Sequence, residues 1–225
     1  MVTLSCTQSS VREINRALRS QPPGAHVTIV EPRGAHNLAV GLRSDLHITV
    51  EGNAGYYLGG LSEGIDVTVN GSVGWGVAEN LMAGVVRVNG NASEAAAASA
   101  HGGTVIVSGD ASLRAGISLK GGTLVVAGDV GNVCAFMAQA GTILVGGNAG
   151  EALGDSLYET VIYVHGTVRG LGADARIEEL TEADVKVVSE LVEQSGFDHI
   201  DPQEVTRVAS ARQLYNFDAL KSQRY

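Results

Sequence analysis

A chain of 225 residues is long enough to bury a sizeable core as one domain with appendages. It is 44% hydrophobic but only 4% aromatic, so Val, Ala, Leu and Ile must fill the interior and a narrow core is expected. With 15 basic against 24 acidic residues, the formal charge of −9 repels nucleic acid and anionic lipid, and neither is expected as a partner.

Cys6 and Cys134 are far apart and lie in no CxxC or Cys/His spacing, which argues against a disulfide framework or a structural zinc site. The N-terminus has no signal-peptide apolar region, and no run approaches the roughly 18 apolar residues needed to cross a bilayer. A soluble cytoplasmic protein with reduced, mostly buried thiols is the expectation.

The first predicted element is a short helix over 10–18, with Ser10 and Glu13 in capping-box spacing and Val11, Ile14 and Leu18 on one face. Val30 and Gly34 then mark an irregular coil with one residue added. Beyond it a repeat of 19 residues takes over. Steps of 19 from Gly52 land on Gly71, Gly90, Gly109, Gly128, Gly147 and Gly166 without insertion or deletion. Two residues before each stands a valine, from Val50 and Val69 through Val107 to Val164, and two before that Ile48, Val67, Val86, Val105, Leu124, Ile143 and Ile162. Side chains in a strand alternate with period two, so both columns face the core.

Identical strand–glycine units of this kind define a solenoid, each unit burying its apolar face only by stacking on the next. Nineteen residues are too few for a strand plus an ordinary helix, and the remaining letters have no helical period. The fold class is therefore all-β: a solenoid, a parallel β-helix of about seven 19-residue coils with short flanking α-helices. At roughly 4.8 Å per coil it makes a rod of about 35 Å.

After each glycine comes Asn53, Ser72, Asn91, Asp110, Asp129, Asn148 or Thr167, residue types that bond their own backbone at a corner. Small residues recur three and seven positions beyond the glycine: Gly55 and Gly59, Gly74 and Ala78, Ser93 and Ala97, Ser112 and Gly116, Gly131 and Ala135, Gly150 and Gly154. Stacked backbones approach closely there or adopt positive φ. Because the Gly-x-x-Gly-x-x-x-Gly spacing recurs in coil after coil and matches neither GxGxxG nor a Walker sequence, it reads as structural rather than phosphate-binding.

A column facing outward, Thr49, Thr68, Arg87, Ile106, Val125, Leu144 and Tyr163, begins polar and turns apolar, so something must cover its second half. The nearest candidate for that cover is the C-terminal region, with another protein as the alternative. There a helix runs from N-cap Thr181 to Gly196 with Val185, Val188, Leu191 and Val192 on a stripe, and a second helix is expected from Asp201 with Pro202 in its first turn.

Candidate chemistry is sparse. The histidines His26, His36, His47, His101, His165 and His199 show no metal-ligand spacing, and steps of 19 put none above another or above a cysteine; no metal site is expected. No Gly-x-Ser-x-Gly elbow occurs, and the Asp110/Asp129 pair is better read as turn-capping than as paired carboxylates. Tyr56, Tyr57 and Trp75 cluster just after the first corner glycines. In an aromatic-poor chain they form either a partner-binding surface or the cap of a wide end of the core.

The repeated Gly-x-x-Gly-x-x-x-Gly on 19-residue coils, ending in the stretch VASARQLYNF from Val208 to Phe217, resembles the GXGXG domain at the C-terminus of the glutamate synthase large subunit, over nearly the whole chain. The resemblance runs from about Pro22 to Phe217; with the helical patterns of the flanks, 1–21 is an N-terminal helical cap, 22–177 the GXGXG β-helix and 178–225 a C-terminal helical extension. Ser93 and Ser112 replace the second glycine in two coils, and Arg169 displaces it to Gly170 in another.

The resemblance implies a right-handed β-helix with no catalytic, cofactor-binding or metal residues, bracing an amidotransferase-like subunit against an FMN-binding synthase subunit. FMN, and any iron–sulfur cluster, would belong to those partners. Length and ending resemble most the stand-alone GXGXG subunit of N-methylglutamate synthase (methylamine-glutamate N-methyltransferase), which joins methylamine to glutamate and releases ammonia. A subunit of a split glutamate synthase, or the GXGXG-fold subunit of a formylmethanofuran dehydrogenase-like complex, is the alternative. A free-standing β-helix enzyme is the reading from a different class; it calls for charged residues clustered on one outward column, which these columns lack.

Overall fold

The computed structural model describes residues 2–211. Strand β1 (Val2–Ser5) and helix α1 (Val11–Arg19) precede eight stacked strands: β2 (Ala25–Val30), β3 (Leu46–Glu51), β4 (Ile65–Val69), β5 (Gly84–Val88), β6 (Thr104–Val107), β7 (Lys120–Val126), β8 (Ala140–Val145) and β9 (Val161–Val164). Each pairs in parallel with the next, and from β3 onward the register follows the 19-residue step: Ile48 lies opposite Val67, Val67 opposite Val86, and Val86 opposite Val105. The molecule is the expected all-β solenoid.

The first coil is longer than expected. Val27 lies opposite Ile48 and Ile29 opposite Val50, a step of 21 residues, so Ile29 rather than Val30 occupies the valine column.

The interior is built from stacked aliphatic columns. Val50, Val69, Val88, Val107, Val126, Val145 and Val164 are all fully buried. Across the core, Ala54, Val73, Ala92, Ala111, Val130, Ala149 and Val168 form a second ladder of parallel bridges. Cys134 stands in a further buried column with Leu58, Val77, Ala96, Ala115 and Leu153. Such a core is narrow because two backbone walls face each other across one layer of small side chains, and its stability comes from the apolar area each coil hides on its neighbour.

The turn segment joining the walls satisfies its backbone differently. Residues five, seven and nine after the corner glycine adopt left-handed conformations in coil after coil, as at Gly76, Ala78 and Asn80. Gly76 N–H donates up to Glu94 O at 2.9 Å and Ala78 N–H down to Leu58 O at 2.8 Å, so alternate residues bond opposite neighbours. The backbone polar groups are thus paired without a continuous strand.

Both ends are covered. Helix α1 has the expected capping box between Ser10 and Glu13, and buries Ile14 and Leu18 on the first coil. Asn15 fixes it there by donating to Asn37 O at 2.7 Å and accepting from Ala39 N–H at 2.9 Å. Strand β1, for which the sequence carries no periodic signal, extends the sheet beside β2.

At the other end lie β10 (Ala175–Glu178), α2 (Glu182–Ser195) and β11 (Thr206–Ser210). Helix α2 starts at Thr181 and ends at Gly196 in a left-handed cap, as expected. The helix expected from Asp201 is not there. Asp201 closes a turn onto Gln203 N–H at 2.8 Å, and the chain continues as β11, antiparallel to both β9 and β10. The open edge of β9 offers hydrogen bonds that a short helix could not supply, and pairing with it overrides the local helix signal. The resemblance-bearing stretch is seen only from Val208 to Ala211; its remainder to Phe217 lies outside the described residues.

The C-terminal elements cover the apolar half of the outward column. Ile106, Val125, Leu144 and Tyr163 pack against Val188, Ile200 and Val205 in a second hydrophobic cluster. Where the column becomes polar, Arg87 reaches the end of α2 and donates to Ser195 O at 3.1 Å and Gln194 O at 3.2 Å. The last turn of α2 has no basic residue of its own, so Arg87 supplies the positive charge its C-terminal carbonyls favour.

Candidate functional site

The repeated glycines separate into three structural roles. A Cβ on Gly71, Gly90, Gly109, Gly128 or Gly147 would strike the corner side chain of the coil before it, for instance Asn53 Oδ1 at 2.6 Å from Gly71 and Ser72 Oγ at 2.6 Å from Gly90. Gly166 is closed off in the same way by the Gly147 backbone, 2.6 Å away. Gly55, Gly74, Gly131 and Gly150 sit directly on the preceding coil's backbone or rings, while Gly59 and Gly154 have φ of +71° and +67°. Gly52, at the start of the series, faces Pro32 at 3.3 Å.

The corner residues do not bond their own backbone, as expected from their types, but that of the next coil. Asn53 Oδ1 accepts from Ser72 N–H at 2.8 Å, Ser72 Oγ from Asn91 N–H at 3.0 Å, Asn91 Oδ1 from Asp110 N–H at 2.9 Å and Asp110 Oδ1 from Asp129 N–H at 2.8 Å. The ladder ends with Asp129 Oδ1 accepting from Asn148 N–H at 2.6 Å and Asn148 Oδ1 from Thr167 N–H at 3.0 Å. Asp110 and Asp129 are therefore bound into a structural ladder. Each side chain in it crosses the face of the next glycine, which is why that column tolerates no Cβ.

Contrary to the count by 19, two histidines are stacked on each other. The 21-residue step of the first coil puts His26 directly above His47, with their rings stacked at 4.5 Å, and His47 Nδ1 lies 3.2 Å from Asp66 Oδ2 on the following strand. Among the described residues, however, no group of three or more His, Cys, Asp or Glu is placed to hold a metal ion.

The most tightly coupled charges serve the C-terminal cover. Tyr163 Oη donates to Asp184 Oδ1 at 2.6 Å, Arg207 Nε donates to the same oxygen at 3.0 Å, and Arg207 also pairs with Glu178. Partial burial raises the Asp184 carboxyl, but hydrogen bonds from Thr181, Tyr163 and Arg207 outweigh it and hold the group well below the usual carboxylate range. Burial and the neighbouring Asp184 push the Tyr163 phenol up. The Cys134 thiol, wholly desolvated, is pushed up to about 12, which makes it a poor nucleophile.

Tyr56, Tyr57 and Trp75 are 40%, 43% and 47% exposed, so they do not fill the core. Tyr56 stacks on His36 at 4.2 Å and on Trp75 at 5.2 Å, giving a column of three parallel rings on successive coils. Tyr56 N–H donates to His36 Nδ1 at 2.8 Å. The rings are seated on glycines: a Cβ on Gly74 would meet Tyr56 Cδ1 at 2.6 Å, and one on Gly76 would meet Tyr57 Cδ1 at 2.7 Å. Leu61 and Met82, 60% and 47% exposed, continue the apolar surface along clefts that Tyr57 and Leu61, then Leu61 and Met82, line. Rarity in the sequence singles out the aromatic part; His36, Leu61 and Met82 escape that signal, because their exposure depends on which way the turn points them.

The fold and this surface define a parallel β-solenoid with helical and strand caps and a pre-ordered aromatic face. No helix among the described residues is long and apolar enough to cross a membrane. No protein-family model matches the chain. It is 47% identical over 221 residues to Protein GlxC of Rhizobium meliloti (strain 1021), covering 97% of each protein, and it belongs to the GlxC family.

Proposed function

We propose that the chain is a non-catalytic, GXGXG-type structural subunit of a multi-subunit glutamate-synthase-like enzyme, bracing an amidotransferase-like subunit and an FMN-binding synthase subunit. N-methylglutamate synthase is the favoured assembly. The observation that carries this reading is that the glycines of the repeat and their corner side chains are engaged in coil-to-coil contacts. The motif builds a stiff body, and the aromatic face is left for partners.

FMN is assigned to a partner rather than to this chain. Among the described residues both helix N-termini, where a phosphate could be held, are occupied by their own capping boxes, Ser10 with Glu13 and Thr181 with Asp184, and each box places a carboxylate there. Any iron–sulfur cluster is assigned to the partners by resemblance. In this reading the solenoid fixes the separation of two active sites between which a small amine passes.

The test is to purify a tagged copy from its own host and measure the native mass and visible spectrum of what is recovered. A stoichiometric complex containing both partner subunits and a flavin spectrum is expected. A lone chain that performs amide or amine transfer would refute the proposal.

A further inference from the structure

The ring column ends abruptly. Tyr56 and Trp75 hold the fourth position after the corner glycine on successive coils, with His36 stacked on Tyr56 from the coil before, and the next coil puts Glu94 in that position. Trp75 is thus the last ring of the stack, and a carboxylate follows it one coil on, about 4.8 Å along the rod. Two carboxylates stand by the rings: Glu94 follows Trp75 in its column and Glu79 lies beside Tyr57, while the adjoining cleft that Leu61 and Met82 line holds Glu63 and one cation, Arg43. Neither Glu79 nor Glu94 forms an ion pair among the described residues. Glu79 lines a cleft of about 260 Å³ together with Tyr57 and Leu61.

We infer that this face docks an arginine-bearing segment of a partner polypeptide, with the guanidinium lying on Trp75 and paired with Glu94 and an adjacent apolar side chain over Tyr57 and Leu61. A planar guanidinium continues a stack of parallel rings while meeting a carboxylate edge-on, which an ammonium does less well. The glycine seats hold the rings in place beforehand, so docking orders little that is not already ordered. The two carboxylates at the face and the formal charge of −9 select against a second copy of this chain, which presents the same sign of charge. The inference rests on the proposed function only in taking the aromatic face as a partner contact, and it names the chemistry of what binds there.

The experiment uses the isolated full chain, so its outcome is separate from that of the co-purification. A displayed random peptide library is selected on the immobilised chain and counter-selected on a Trp75→Ser chain shown by circular dichroism to melt at the same temperature. Because Trp75 is the sole tryptophan, its fluorescence reports binding of each synthesised winner directly. Enriched peptides should contain arginine beside an apolar residue and change that fluorescence saturably. Replacing the arginine with citrulline, or Glu94 with Gln, should weaken binding about threefold to tenfold. Enrichment of acidic or neutral peptides, equal binding to the Trp75→Ser chain, or no enrichment would each overturn the inference. So would self-association of the chain that Trp75→Ser abolishes, which would make the occupant a second copy.

Discussion

Asp110 Oδ1 accepts the backbone N–H of Asp129 at 2.8 Å, and in that position it occupies the space where Gly128 would carry a Cβ. The hydrogen bond and the missing side chain are two aspects of one contact. Gly128→Ala should therefore destabilise the chain by about 1–3 kcal/mol through overpacking. In an Asp110→Gly background the same change should cost at least about 1 kcal/mol less, because the obstructing oxygen is gone. Additive penalties in thermal or denaturant unfolding would show that the ladder does not set the glycine column. Asn89→Ser, which loses an exposed bond to Asn70, is the control and should cost under about 1 kcal/mol.

Val107 lies mid-rod and is fully buried. Val107→Asp would place a carboxylate among stacked valines with no partner, at a cost of several kcal/mol. A soluble variant with an unchanged melting temperature would contradict the strand register.

The cluster joining α2 to the sheet should make stability fall in acid. The Asp184 carboxyl titrates in the folded chain well below its unfolded value near 4, so its contribution is present above about pH 4 and is lost as pH falls toward the folded value. Asp184→Asn should flatten the acid limb of a stability–pH curve measured by denaturant unfolding, while lowering stability at neutral pH. If the variant and the parent lose stability in parallel below pH 4, the group is not linked to folding.

Arg87→Met removes the charge at the C-terminal end of α2 but keeps much of the stem. Hydrogen exchange should speed up in the last turn of α2, around Gln194 and Ser195, with little change in β5. Uniform acceleration across the whole chain would mean that α2 does not open separately.

Much of this architecture was legible because an uninterrupted 19-residue step turns sequence into columns. Val50 through Val164 declared the core, and the change from Thr68 to Ile106 in the outward column declared that a cover was needed. The step also marks where reading fails. Two additional residues in the first coil put His26 over His47, which no count by 19 can find. The corner residues were identified by type, but Asn and Asp suit a local turn and an inter-coil ladder equally, so their partners emerged only with the stack. At Asp201 the letters favour a helix, and only the open edge of β9, a property of the assembled sheet, selects β11 instead. At the aromatic face, Tyr56, Tyr57 and Trp75 stood out by rarity, whereas Leu61 and Met82 are ordinary apolar letters whose exposure follows from the left-handed turn.

Reconstitution decides whether the chain contributes structure rather than chemistry. Recombinant chain, amidotransferase-like subunit and FMN-binding subunit are assayed separately, in pairs and together for transfer of methylamine to glutamate. No bound flavin and no activity are expected in the isolated chain, little activity in the other two proposed subunits without it, and full activity at a fixed ratio of all three. Full activity of the two partners alone, or flavin retained by the isolated chain after dialysis, would contradict the structural role.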